Sequence, residues 1–105
     1  MSKPVPTLVS YFPKPAKEKE LLALIAKHWP ILDKAGLVTK TKAKVWKAHD
    51  KRQGTDYFIE YMEWKDGESS GLAHQLPEVM AVWETMGPIM ETMSIVQIEE
   101  LPMPY

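Results

Sequence analysis

Histidine is the first side chain to consider for chemistry, because imidazole can exchange a proton near neutral pH and donate a hydrogen bond. The chain has three histidines. His74 lies in the stretch LAHQLP, where a helix breaks before Pro77 and a side chain could point into a pocket. His28 has charged neighbours on a predicted helix, and His49 ends a predicted strand at a polar turn. His74 is therefore the candidate catalytic residue; the alternative is a histidine that ties down a loop.

A carboxyl group is the second candidate for chemistry. The stretch TDYFIEYMEWKD (55–66) is typical of a strand and carries Glu60 and Glu63, which point to opposite faces because their separation is odd. A buried carboxylate needs a partner or a raised pKa. Lys44 or Lys47 on the neighbouring strand could pair with Glu60. Glu60 is therefore either half of a structural pair or a second catalytic candidate, a base in a pocket.

Large apolar side chains could line a pocket for a flat or hydrophobic ligand, with a few polar groups to orient it. The chain has four tryptophans and seven methionines, and methionine adapts to irregular shapes. Aromatic residues at helical spacing often belong to a core, so a packed interior is the alternative. The predicted ligand-binding residues are Tyr11, Trp29, Tyr61, Trp83 and Met86.

Several classes of site and partner are disfavoured. The chain has no cysteine and lacks the histidine spacings of zinc sites, so we expect neither a metal nor a cofactor. The net charge of −1 provides no field for a nucleic acid or an anionic membrane. Strand 55–66 also has no basic residue between Thr55 and Trp64, unlike an RNA-recognition strand. With no bilayer-spanning run and no signal-peptide pattern, we expect a cytoplasmic protein.

Hydrophobic periodicity divides the chain into six main elements of one domain, residues 1–105. β-branched and aromatic runs predict strands, and an apolar stripe at steps of three and four predicts each helix. Gly36 is a suitable end for the first helix. The predicted strands are 5–12, 37–49, 55–66 and 92–101, the first helix is 16–36, the second begins in 66–75 and continues after Pro77 to Gly87, and 102–105 form a tail.

The order β-α-β-β-α-β predicts a ferredoxin-like α+β sandwich, a four-stranded antiparallel sheet with both helices on one face. Strand 55–66 has large apolar side chains on both faces, and the helices can cover only one of them. An uncovered apolar sheet usually marks an interface. We therefore expect a homodimer in which the sheets of two copies pack against each other.

The chain resembles the antibiotic-biosynthesis-monooxygenase-like group of dimeric α+β barrels. The residues that carry the resemblance are YFPKPAKEKELLALI after the first strand, HWPILDKAGLV into the second, and EWKDGESSGLAHQLPEVMAVWETMGP. The resemblance implies a barrel across the dimer, with a pocket between the sheet and the helices of each subunit. His74 and Trp83 fall in the group's recurring AH helix segment.

The resemblance implies a small-molecule protein that acts on a hydrophobic or aromatic compound, either a cofactor-independent oxygenase or isomerase, or a non-catalytic ligand-binding or stress-related barrel. Members that degrade haem or oxidise anthrones rely on an asparagine in the first strand region. This chain has no asparagine, and His74 precedes Trp83, the reverse of the haem-degrading order. The resemblance therefore argues against haem degradation.

Overall fold

A computed structural model, which describes residues 3–105, has the predicted α+β architecture. One four-stranded antiparallel sheet has the strand order β2-β3-β1-β4. The elements are β1 Val5–Pro13, α1 Glu18–Lys34, β2 Lys44–Asp50, β3 Thr55–Trp64, the short α2 Ser69–Ala73, α3 Pro77–Met86, a 3-10 turn Gly87–Ile89 and β4 Met90–Gln97. The ferredoxin-like fold class is confirmed.

The second strand is shorter than predicted. Residues 37–43 lie outside β2, although Val38 forms an isolated antiparallel bridge with Trp64 at the end of β3 and is buried there together with Leu37. The amide of Lys65 donates to the Leu37 carbonyl at 2.9 Å, and the amide of Thr39 donates to the Glu63 carbonyl at 3.1 Å. Of the lysines in the predicted strand 37–49, only Lys44 and Lys47 therefore lie in β2. The last strand, predicted as 92–101, begins earlier and ends at Gln97.

Helix α1 buries a stripe at steps of four, three and four, which comprises Leu21, Ile25, His28 and Leu32. Leu22 lies outside this stripe and is exposed. At the C-terminus, the amide of Gly36 donates to the Asp33 carbonyl and the amide of Leu37 donates to the Leu32 carbonyl. These two bonds form a Schellman motif, whose turn requires the left-handed backbone that Gly36 adopts at φ 75°.

Strand β3 separates two apolar environments. Phe58, Glu60, Met62 and Trp64 are buried on the side of the helices, whereas the alternate residues are half-buried on the other side. The cross-strand partners of the alternate residues share that second side. We call it the outer face of the sheet; its side chains include Leu8, Phe12, Trp46, Tyr57, Ile59, Tyr61 and Val96.

Within residues 3–105 no helix is long and apolar enough to cross a membrane. The expected cytoplasmic location stays a prediction.

Replacement of Gly36 by alanine should destabilise the protein by about 1 kcal/mol, because a Cβ atom is strained in the left-handed region. No atom lies within 4 Å of the position of that Cβ, so the cost is conformational rather than steric. Gly71→Ala is the matched control, since its Cβ also meets open space and its φ is not positive. Urea unfolding of both variants measures the difference, and equal free energies of unfolding would contradict this account.

Candidate functional site

A cavity of about 300 Å³ lies between the helix-facing side of the sheet and the helices. Strand β4 forms its open edge, because the helices leave β4 exposed: Met93 and Ile95 keep large accessible surfaces. We call this cavity the cleft. Its walls are Thr7, Val9, Tyr11, His28, Met62, Trp64, Ser70, His74, Trp83, Met86, Met90, Met93, Ile95 and Gln97, none of which is an acid, lysine or arginine.

Four buried or half-buried side chains form a continuous hydrogen-bonded chain beside the cleft, which we call the buried polar chain. The Tyr11 hydroxyl donates to Glu60 Oε1 at 2.6 Å. His28 Nδ1 lies 3.1 Å from the same oxygen, and the Trp83 indole Nε1–H donates to His28 Nε2 at 2.9 Å. The chain therefore links β1, β3, α1 and α3.

The partners of His28 determine which of its ring nitrogens carries the proton. An indole N–H can only donate, so Nε2 of His28 must accept from Trp83. The ring proton must then lie on Nδ1, which donates to Glu60 Oε1. In this arrangement His28 is neutral and both of its nitrogens are occupied by protein partners.

Glu60 is the least exposed polar residue of the sheet centre, with a relative accessibility of 0%. Its Oε1 accepts both donors, whereas Oε2 has no hydrogen-bond partner among the described residues. An unpaired buried polar atom is costly. The pKa of the Tyr11 phenol lies well above its usual range. Burial is the largest cause, followed by the charge of Glu60 and by the hydrogen bond to Glu60.

His74 occupies a different position, at the C-terminal end of α2 and at the mouth of the cleft. Its ring packs on Trp83 with the ring centroids 4.8 Å apart and the planes inclined by 59°. The side chain is exposed, and within residues 3–105 no side-chain hydrogen bond holds it. An imidazole in this position can contact a molecule in the cleft and exchange a proton with it.

The structure brings together Tyr11, His74, Trp83 and Met86 at the cleft, and that they bind or convert a ligand stays a prediction. Glu60 lies behind Tyr11 and His28 and does not line the cleft. The position of Glu60 therefore does not support its predicted role as a base that contacts a ligand.

Two predicted ligand-binding residues lie elsewhere. Trp29 packs against a separate core cluster around Leu32, and its buried Nε1 has no partner among the described residues. Tyr61 is on the outer face, where its hydroxyl donates to Glu63 Oε2 at 2.8 Å. Their prediction rests on the composition of the chain. The helix phase of Trp29 and the strand phase of Tyr61 direct the two side chains away from the cleft.

The expected lysine partner of Glu60 is also wrong. Lys44 pairs across the ladder with Tyr61 and therefore points to the outer face. Lys47 is opposite Phe58 and forms an ion pair with Asp56 at 3.4 Å. The residue opposite Glu60 is Val45, so the donors to Glu60 come from a tyrosine and a histidine instead.

His28 is the residue that the sequence interpretation missed. Its charged neighbour Lys27 suggested a solvated helix position, but His28 is 4% exposed. A usable signal exists: residues 21, 25, 28 and 32 share one helix face at steps of four, three and four. A histidine in such a stripe needs buried partners for two nitrogens, and here it has them.

No group of three or more histidine, cysteine or acidic side chains that could hold a metal ion occurs in residues 3–105. That the protein uses no cofactor stays a prediction.

Comparison with known proteins identifies the fold through structure alone. No family model and no curated protein matches the sequence. Among solved structures, a protein of Nitrosomonas europaea named for the antibiotic biosynthesis monooxygenases superposes with a TM-score of 0.71 and 13% identity, over 96% of this chain and 93% of that chain. This chain therefore has the same fold as that protein.

Two further structures share this monooxygenase-like fold over almost their whole length. SnoaB, a cofactor-independent oxygenase from Streptomyces nogalater, has a TM-score of 0.70 and 10% identity over 98% of each chain. Rv0793 from Mycobacterium tuberculosis has the same TM-score and 10% identity, over 98% of this chain and 100% of that chain. The resemblance inferred from the sequence is thus confirmed for the fold, and identities this low carry nothing further.

Above pH 10, stability should fall more steeply in the wild type than in Tyr11→Phe. The unfolded phenol releases its proton near its ordinary pKa of 10.0, whereas native Tyr11 keeps it. Since the native state then binds more protons, its stability is fully present below pH 10 and declines above it by about 1.4 kcal/mol per pH unit.

Urea unfolding across this pH range measures the slope for the wild type, Tyr11→Phe and Tyr105→Phe. Tyr105 is in the exposed tail, so its variant should keep the wild-type slope. Equal slopes for Tyr11→Phe and the wild type would contradict the assignment of Tyr11 to the buried polar chain. At neutral pH Tyr11→Phe should also lose about 1–3 kcal/mol, because Glu60 loses a donor.

Proposed function

We propose that this protein is a cofactor-independent oxygenase or isomerase that acts on a neutral, hydrophobic, aromatic compound bound in the cleft. The observation that carries the proposal is the meeting of Trp83 and His74 at the mouth of an apolar cavity of about 300 Å³. Few polar groups and a large apolar wall are typical of small-molecule sites. We further propose that the protein works in the cytoplasm and binds neither nucleic acid nor membrane.

The class of ligand follows from the cleft walls. No acid, lysine or arginine lines the cleft, so a charged ligand would lose its hydration without gaining a partner. Trp83 offers an aromatic surface to a flat ring. Met86, Met90 and Met93 can adapt to its outline. A neutral compound with fused rings satisfies these conditions best.

His74 is the proposed proton-transfer residue. It is exposed at the cleft mouth, and its nitrogens are not engaged by the hydrogen bonds that occupy His28. His74 accepts a proton from an acidic CH₂ group of the ligand, and the electron pair left on carbon then reacts with dioxygen. The carbon loses both hydrogens and becomes a carbonyl; one oxygen atom of dioxygen enters it, and the other leaves as water. The ligand is thus oxidised and dioxygen reduced.

Isomerisation uses the same first step. If His74 returns the proton to a different carbon, the double bonds of the ligand shift and no dioxygen is consumed. The alternative function is non-catalytic ligand binding, which the cleft walls favour because no acid, lysine or arginine among them could act with His74 as a second acid or base. Oxygen consumption, proton exchange and binding separate the three cases.

With anthrone, a neutral fused-ring compound that has an acidic CH₂ group, as the probe substrate, the wild-type protein should accelerate oxygen uptake without added metal or flavin, with His74 in place of the asparagine on which anthrone-oxidising members rely. Replacement of His74 by glutamine should lower the rate by about 100-fold, the usual contribution of a positioned general base, while the affinity for anthrone is kept. His49→Gln is the control, since His49 lies on β2 and pairs with Asp56, away from the cleft. An oxygen electrode measures the rate.

Two results would contradict the oxygenase. If the wild-type protein does not raise the rate of oxygen uptake above that of anthrone in buffer, oxygenase activity toward compounds of this class is excluded. Deuterium exchange at the anthrone CH₂ group then decides between isomerase chemistry and binding alone. A His74→Gln variant with the full wild-type rate removes His74 from the chemistry.

We also propose that two copies form a homodimer through their outer faces. Trp46 and Val96 are half exposed on this face. Phe12 and Tyr57 stack there with centroids 4.6 Å apart. An apolar sheet of this kind is suited to burial against a second sheet, and a chain of 105 residues gains stability from such burial.

The dimer predicts different effects for two similar substitutions. Val96, 46% exposed on the outer face, and Leu22, 44% exposed on α1, are matched in size and accessibility. Val96→Glu should raise the dimer dissociation constant by at least about tenfold, because it places a charge in an apolar interface, whereas Leu22→Glu should leave it unchanged. Native mass spectrometry over a dilution series measures both, and a wild type that is monomeric throughout would overturn the proposal.

A further inference from the structure

His28 makes two contacts that demand opposite roles from its two nitrogens. Trp83 requires a lone pair at Nε2, and Glu60 Oε1 receives the proton at Nδ1. Each contact depends on the other, since moving the proton to Nε2 would place two N–H groups opposite each other at 2.9 Å and leave Nδ1 without a proton for Glu60.

Glu60 is what selects this tautomer. Its carboxyl group is fixed in the sheet centre by the 2.6 Å hydrogen bond from Tyr11. His28 is buried at the same level, so no solvent competes for Nδ1. A histidine whose one nitrogen donates to a fixed carboxyl group presents the other as an acceptor of defined direction.

This arrangement gives the indole of Trp83 an acceptor at the cleft. Its ring is only half-buried and forms part of the cleft wall, with its centroid 5.9 Å from that of His28 and 4.8 Å from that of His74. Without an acceptor in the cleft wall, the Trp83 side chain could adopt other rotamers. The hydrogen bond to His28 excludes those rotamers and holds the ring in one orientation toward the cleft.

We propose that His28 is a positioning residue: through its Nδ1–H tautomer, set by Glu60, it fixes the indole of Trp83 as the wall against which a flat ligand binds. His28 does not exchange protons with the ligand. The inference rests on the cleft as the ligand site of the proposed function, but not on any oxygenase or isomerase activity.

The tautomer is tested in the wild-type protein without any substitution. Long-range ¹H–¹⁵N spectra of the histidine rings distinguish Nδ1–H from Nε2–H, and His28→Gln identifies the His28 signals by their loss. The proposal requires the Nδ1–H form for His28. The Nε2–H form would overturn it.

The positioning role is tested by two replacements of His28. Glutamine can reproduce both contacts, since its carbonyl accepts from Trp83 and its NH₂ group donates to Glu60. Leucine reproduces neither. With the neutral fluorophore N-phenyl-naphthylamine as the probe, His28→Leu should bind about tenfold more weakly, the loss of about one hydrogen bond, and His28→Gln should bind within about threefold of the wild type.

A second measurement is the rate at which the Trp83 indole proton exchanges with solvent; its signal is identified by its loss in Trp83→Phe. A purely structural role of His28 would leave this rate unchanged. The indole proton should exchange slowly with solvent in the wild type and in His28→Gln, and rapidly in His28→Leu. His49→Leu is the matched control: His49 Nδ1 also contacts a carboxylate, Asp56 at 2.6 Å, but far from the cleft. Both readouts should be unchanged in it.

The outcomes are decisive for His28. A folded His28→Leu that binds the probe as the wild type does, or a His28→Gln as weak as His28→Leu, overturns the proposal. If His28→Leu does not fold, the wild-type tautomer and the glutamine variant decide. Absence of oxygen uptake removes the oxygenase and leaves this inference standing, whereas a wild type that does not bind the probe overturns both.

Discussion

The structure depends on how a carboxyl group at the centre of the sheet obtains hydrogen bonds. Glu60 is fully buried on the helix side of β3, where water does not reach it. Because a buried carboxyl group without donors is very costly, neighbouring elements must bring polar side chains to it. The neighbouring strand contributes Tyr11 and the first helix contributes His28. The position of α1 on the sheet is thereby coupled to the pairing of β1 with β3.

The two hydrogen bonds of His28 connect Glu60 to the wall of the cleft. Once Nδ1 is committed to Glu60, Nε2 has to accept, and Trp83 on α3 supplies the donor. Both helices are thus anchored over β1 and β3, while β4 remains uncovered. The cleft is the space left beside the anchored helices, and its apolar walls are the helix-facing residues of three strands. The interaction that satisfies a buried acid therefore also shapes the proposed binding site.

The sequence predicted the fold well because hydrophobic periodicity reports which elements form and which faces are apolar. The two faces of β3 and the restart of the helix at Pro77 followed from local patterns, as did the αL turn at Gly36. The positions of the candidate site residues were predicted less well. Trp83 and His74 line the cleft, whereas Trp29 and Tyr61 do not, because composition does not distinguish a core from a cavity wall.

By itself the sequence determined the order of the elements, the strand phases that put Glu60 and Glu63 on opposite faces, and the two-sided apolar character of β3. Only the tertiary structure decided what surrounds Glu60. Tyr11 and His28 lie 49 and 32 positions from Glu60 along the chain, and no local pattern relates them to it. Their contact depends on the ladder register and on the rotation of α1 over the sheet. These are set by packing of the whole core, and so the polar partners of a buried acid cannot be read from its neighbours in sequence.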